Sequence, residues 1–194
     1  KRLYTMTIFS LRQFTVLFIT ILSFSPLVHS ADIEAGKDKA SACQGCHGID
    51  GQSQSGHYPS LAGQRALYIE KQLKAFQSGY RDSPVMKGMA SKLKQQDIKN
   101  ISAYFASLTS QSAGGDPALA KKGQSKVAMC LGCHGSSAQG RGGFPKLAGQ
   151  HPEYLKKQLL NFKDSSRKGG PMNGISASLS EQDINEITAY LGSL

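Results

Sequence analysis

Cys43-Gln-Gly-Cys46-His47 and Cys130-Leu-Gly-Cys133-His134 are two copies of one pentapeptide, and between them they use all four cysteines of the 194-residue chain. Two thiols three positions apart can each add to one vinyl group of a haem, and the histidine that follows is then placed to bind the iron. The pattern predicts two covalently attached c-type haems, held by Cys43, Cys46, Cys130 and Cys133, with His47 and His134 as axial iron ligands. Rival uses of cysteine account for fewer residues. A redox Cys-x-x-Cys belongs beside alternating strands and helices, a pattern this chain lacks. A four-thiolate zinc ribbon wants its pairs about 15 to 20 residues apart, whereas 83 residues separate Cys46 from Cys130. Zinc and a disulfide framework also leave both histidines without a role.

The likeness continues past the two motifs, which lie 87 residues apart. Pro59-Ser-Leu-Ala-Gly-Gln64 matches Pro145-Lys-Leu-Ala-Gly-Gln150 at an offset of 86, and so do the segments 68–73 with 154–159 and 96–104 with 182–190. The chain is a tandem duplication that has lost one residue after the second motif. The small, polar stretch from Thr109 to Pro117 reads as a linker. The expected domains are 31–113 and 114–194. Each is about 80 residues, a size at which a polypeptide core alone is marginal, and a covalent haem offers a large apolar disc to pack on.

Apolar spacing predicts an all-α chain. The expected helices run from about Ile33 to Ala42 and Pro117 to Met129 into the cysteine motifs, then Arg65 to Ser78 and Pro152 to Asp164, then Gln95 to Leu108 and Glu181 to Leu194. Ser180 and Asp183 form a capping pattern for the last helix, whereas Lys94 stands at the matching place in the first half and predicts a weaker cap.

A second axial ligand is sought among the methionines. Met172, in Gly170-Pro-Met-Asn-Gly174, is the only methionine after the second motif, and counting back 86 lands on Met86, in Pro84-Val-Met-Lys-Gly88. Both are expected in Pro/Gly loops that aim a thioether at iron. Met89 competes with Met86, but its repeat partner is Ile175, which cannot ligate, so Met86 is favoured. His57 and His151 are not repeat partners of each other and are read as surface or loop residues. Pro59 and Pro145, 12 and 11 residues after the haem histidines, stand where a loop carbonyl could accept from imidazole Nδ1.

The apolar run from Phe14 to Phe24, with Arg12 before it and Val28-His29-Ser30 after it, reads as a secretory signal cut after Ser30. It is shorter than the ~20 residues a spanning helix needs. Without residues 1–30 the net charge falls from +10 to +7, because three bases and no acids are removed. Four haem propionates would offset much of that excess. The lysines are scattered along helices rather than clustered with aromatics, which argues against nucleic-acid binding and leaves a modest basic field for docking to an acidic redox partner.

With its two Cys-x-x-Cys-His motifs, paired Leu-Ala-Gly-Gln segments, Met segments and terminal helices, the chain resembles the dihaem cytochrome c4 family, two tandem class I cytochrome c modules, from about residue 31 to 194. The resemblance implies two all-α domains, each wrapped around one haem and related by a pseudo-twofold axis with the propionate edges close together. By analogy Tyr68, Tyr154, Gln64 and Gln150 are expected near propionates. It further implies a monomeric bacterial electron carrier in the periplasm, associated with the cytoplasmic membrane, that takes electrons from the cytochrome bc complex and passes them to a terminal oxidase. Haem attachment outside the cytoplasmic membrane agrees with the export signal. A His/Met iron has no open position, which favours electron transfer over catalysis. The alternatives are an electron-accepting subunit of a dehydrogenase or flavoprotein complex and, third, a dihaem peroxidase, which needs a vacant site.

Overall fold

The structure, a computed structural model, describes residues 30–194, so the predicted signal segment, apart from Ser30, lies outside the described residues. Among the described residues there are ten α-helices and no β-strand. The first half contains α1 (Ile33–Ala40), α2 (Gln44–His47), α3 (Ala66–Ser78), α4 (Pro84–Ala90) and α5 (Gln95–Ser107); the second contains α6 (Pro117–Gly123), α7 (Ala128–His134), α8 (Pro152–Lys163), α9 (Pro171–Ala177) and α10 (Glu181–Ser193). No helix among the described residues is long and apolar enough to cross a membrane.

Each half is organised by one close helix crossing, α1 on α5 and α6 on α10. Glycine makes both crossings possible. A Cβ on Gly36 would overlap the Asn100 carbonyl, and one on Gly123 would overlap the Glu186 carbonyl. The crossing helices turn apolar faces into two separate cores. In the first, Ile69, Leu73 and Phe76 of α3 meet Ile98, Ile101 and Phe105 of α5; in the second, Leu155 of α8 meets Ile184, Ile187 and Leu191 of α10. Leu67 of α3 points the other way and is 54% exposed, since positions 69, 73 and 76 define the helical stripe and 67 lies off it.

Two sequence expectations change. The helix expected from Pro117 to Met129 is broken after Gly123 by a turn that buries Val127 and brings Lys126 onto α10. The Met segments are short helices rather than loops. Proline, lacking an N–H, is well placed in a first helical turn, and Ser83 caps α4 by accepting from the Met86 amide at 3.3 Å. In α9 the work falls to Asn173, which accepts from Gly169 N at 2.8 Å and donates to the Phe162 and Arg167 carbonyls at 2.7 and 2.9 Å.

The capping difference is present. Ser180 and Asp183 exchange both arms of a capping box, at 3.1 and 3.0 Å, whereas at Lys94 only the return arm from Lys94 N to Asp97 exists, at 2.9 Å, because an ammonium cannot accept.

The first half pairs Lys39 with Asp97 at 3.4 Å, and the second expands the equivalent pair into a cluster of three. Lys126 Nζ lies 2.5 Å from Asp183 and 2.6 Å from Glu186, and Glu186 is 1% exposed. Its repeat partner is the neutral Asn100, which accepts from Asp32 N at 3.0 Å. Hydrogen bonding to Lys126 holds Asp183 at about 2 and keeps Glu186 below the ordinary carboxylate value. Carboxylates depressed in the folded state stabilise it above their unfolded values, about 4, and that stability is lost as pH falls through the folded values. The second domain is therefore expected to lose stability between about pH 4 and pH 2, and Glu186→Asn to flatten the loss. Domain-resolved amide NMR during acid titration checks this; equal acid sensitivity of wild type and variant would contradict it.

Candidate functional site

Each cysteine motif closes the helical segment that packs on its core. In the first half α1 passes through a single 3-10 turn, Ser41–Cys43, into α2; in the second, α7 carries the whole motif. Both segments stop at a glycine of positive φ, Gly48 at 81° and Gly135 at 89°, and the chain then loops back over the histidine. Cys43 and Cys130 are half-buried against their cores, and Cys46 and Cys133 are exposed. Burial pushes the thiols of Cys43 and Cys130 up. Among the described residues no three His, Cys, Asp or Glu side chains gather into one group, so the two cysteine pairs are not assembled into one metal site.

The returning loop supplies the carbonyl expected from the sequence. His47 Nδ1 lies 2.9 Å from the Pro59 carbonyl and His134 Nδ1 lies 2.8 Å from that of Pro145. A carbonyl can only accept, so Nδ1 carries the proton and Nε2 keeps its lone pair for a metal. Both rings are buried, and burial pushes their imidazolium forms down, partly opposed by the carbonyl bond. An aromatic edge braces each ring: Tyr58 stands 6.3 Å from His47 and Phe144 stands 6.1 Å from His134, both inclined at 69°. Tyr58 and Phe144 are repeat partners, a signal present in the sequence but overlooked there.

Met86 is half-buried and packs on the same core as Cys43, whereas Met89, one helical turn on, is 44% exposed. Met172 is half-buried at the equivalent position of α9. Two thiols, an imidazole with a free Nε2 and a half-buried thioether are thus present in each half, residue types that fit a covalent haem c.

The two halves meet through reciprocal contacts. Gln64 Nε2 donates to the Lys146 carbonyl at 2.9 Å and its Oε1 accepts from Lys146 N at 2.7 Å; Gln150 does the same with Ser60, both at 2.9 Å. Lys146 is the repeat partner of Ser60, so the interface pairs one patch with its own duplicate, as a twofold axis requires. A second set surrounds two arginines. Arg81 donates to Gln72, Gln158 and Tyr154 at 2.6, 2.9 and 3.0 Å, and Arg167 donates to Gln158, Gln72 and Tyr68 at 2.6, 3.0 and 3.1 Å. Each guanidinium stacks on a phenylalanine of its own half, Phe76 or Phe162, and among the described residues neither pairs with a carboxylate. Burial pushes the Tyr68 phenol up, but Arg167 and Arg81 beside it outweigh that and hold it below its ordinary value. Tyr68, Tyr154, Gln64 and Gln150 all lie in this interface. Arg81, Arg167 and Gln158 were not singled out in the sequence, although the 86-residue offset relates Arg81 to Arg167 and Gln72 to Gln158. His151 is an interface residue as well, its Nε2 2.9 Å from the Ser53 carbonyl, and His57 is exposed.

The cytochrome c family model matches residues 33–109 and again 120–194, one match to each half. Cytochrome c4 of Stutzerimonas stutzeri is 36% identical over 204 residues, covering 92% of this chain and 97% of that protein. The chain belongs to the cytochrome c4 family. The crystal structure of reduced recombinant cytochrome c4 from Pseudomonas stutzeri superposes with a TM-score of 0.80 at 37% identity, covering 85% of this chain and all of that one. A thiosulfate dehydrogenase electron acceptor of Stutzerimonas stutzeri is 32% identical over 173 residues, 80% of each chain. As a cytochrome c4, the protein is built as two tandem cytochrome c domains that carry two covalent haem c groups on Cys43, Cys46, Cys130 and Cys133.

Proposed function

We propose that this cytochrome is a periplasmic electron carrier that takes electrons from the cytochrome bc complex and delivers them to a terminal oxidase. Bound, each haem supplies a one-electron Fe(II)/Fe(III) couple. The observation that carries the reading is the donor set of each half: an imidazole whose Nδ1 proton is already committed to a backbone carbonyl, and a thioether half-buried at the equivalent place on the short helix beyond. His47 with Met86, and His134 with Met172, would hold the iron of each haem and leave it no open position for substrate. Thioether ligation favours the reduced iron, which suits the oxidising end of a respiratory chain. Arg81, half-buried, and Arg167, buried, neither with a carboxylate partner among the described residues, are suited to hold the propionates at the contact between domains 31–113 and 114–194.

A second reading is favoured by the relative named as a thiosulfate dehydrogenase electron acceptor: the same two haems would drain a dehydrogenase instead. Stopped-flow mixing of the oxidised protein with reduced bc complex, or with a turning-over dehydrogenase, separates the two. Fast reduction by the bc complex followed by fast reoxidation by oxidase-containing membranes is the expected result. Reduction only by the dehydrogenase would transfer the protein to the second reading. Steady hydrogen peroxide turnover would replace both with an enzyme.

A further inference from the structure

Gln64 and Gln150 contact more than the opposite domain. The amide that Gln64 grips, Lys146 N, belongs to the peptide group whose carbonyl, on Pro145, receives the Nδ1 proton of His134. Gln150 likewise grips Ser60 N, the other end of the peptide whose Pro59 carbonyl receives the proton of His47. Two unbroken relays result, each starting in one domain and ending on the axial histidine of the other: Gln64 to the Pro145–Lys146 peptide to His134, and Gln150 to the Pro59–Ser60 peptide to His47. All links are 2.7 to 2.9 Å, and both glutamines and both histidines are buried.

We propose that these glutamines are positioning residues through which each domain tunes the reduction potential of the other domain's haem. The inference rests on the axial roles given above to His47 and His134. An N–H that donates to Gln Oε1 polarises its peptide and makes the carbonyl at the other end a stronger acceptor, because linked hydrogen bonds reinforce one another in a dry interior. A stronger acceptor draws the Nδ1 proton and raises the basicity of Nε2. A more basic imidazole favours ferric iron over ferrous. Each glutamine therefore lowers the potential of the haem across the interface, and the influence is crossed rather than local. Since the relays involve both halves alike, docking that shifts one domain against the other would change both potentials together.

The test is a redox titration of the holoprotein with haem-resolved NMR, in wild type, Gln64→Ala and Gln150→Ala. Gln64→Ala is expected to raise the potential of the C-terminal haem, changing its share of the electrons at half reduction roughly twofold, and to leave the N-terminal haem unmoved; Gln150→Ala is expected to do the reverse. In the reduced protein the Nδ1–H resonance of His134 should move upfield in Gln64→Ala. His151→Ala, which removes only the side-chain contact with the Ser53 carbonyl and keeps the backbone N–H that donates to Gln150 Oε1, should move neither potential. Unchanged potentials, a shift confined to the variant's own domain, or an equal shift of both haems in His151→Ala would overturn the proposal. Failure of the axial reading would look different: wild type itself would lack two low-spin haems with histidine and methionine signatures.

Discussion

Met172→Ala is expected to lower the reduction potential of the C-terminal haem by roughly 200 mV, within the span of about 0.8 V that axial ligands control. The thioether is the donor that favours ferrous iron, and its loss removes that preference. Alanine at this position leaves the first turn of α9 intact, because that helix is secured by Pro171 and by the three hydrogen bonds of Asn173 rather than by the methionine. The loss should therefore be confined to the iron. Spectroelectrochemistry should show one wave moved and one in place, a rise in high-spin character, and about half the thioether-to-ferric absorption of wild type. In the first half Met86→Ala should behave alike and Met89→Ala should have no such effect, since Met89 is turned toward solvent. An unmoved C-terminal wave in Met172→Ala would assign its ligand elsewhere.

Gly123→Ala carries the largest expected effect on stability. The added methyl has nowhere to go: it would overlap the Glu186 carbonyl and press on Tyr190 Cβ at 3.0 Å, and both are parts of α10 rather than flexible side-chain ends. Separating α6 from α10 would also pull Lys126 from Glu186, whose carboxylate is buried. Overpacking of this kind costs about 1–3 kcal/mol, or roughly 5 to 20 °C in the melting temperature of a domain this small. Gly36→Ala should do the same to the first domain through the Asn100 carbonyl. Thermal melts followed by amide NMR in each domain would show one domain softened and the other near its original stability. A melt unchanged in both would mean that the crossing has room to spread.

Much of the site was legible because the chain states it twice. A single methionine near a proline is ordinary packing, but Met86 and Met172 at one offset, with Met89 matched to an isoleucine, narrow the candidate ligand to one per half. The Pro59 and Pro145 carbonyls could be named from their distance to the histidines for the same reason. Local form was less legible. Segments 84–90 and 171–177 hold proline and glycine, the residues of loops, yet a proline in the first turn begins a helix as readily as it ends one. The break after Gly123 was also hidden, since apolar spacing does not mark a turn that exists to bury Val127 and deliver Lys126 to α10.

The sequence by itself determined the chemistry: which thiols hold haem, which histidines follow them, and that everything occurs in two copies. Those properties depend on covalent spacing and on the repeat, and both are written along the chain. Only the tertiary structure decided how the copies face each other. The resemblance led Gln64 and Gln150 to be expected near propionates, while the fold places each on the backbone that holds the opposite domain's histidine, 82 and 90 residues away along the chain. Contacts at that separation depend on how two surfaces close on one another, and periodicity along a single strand of sequence carries no record of it.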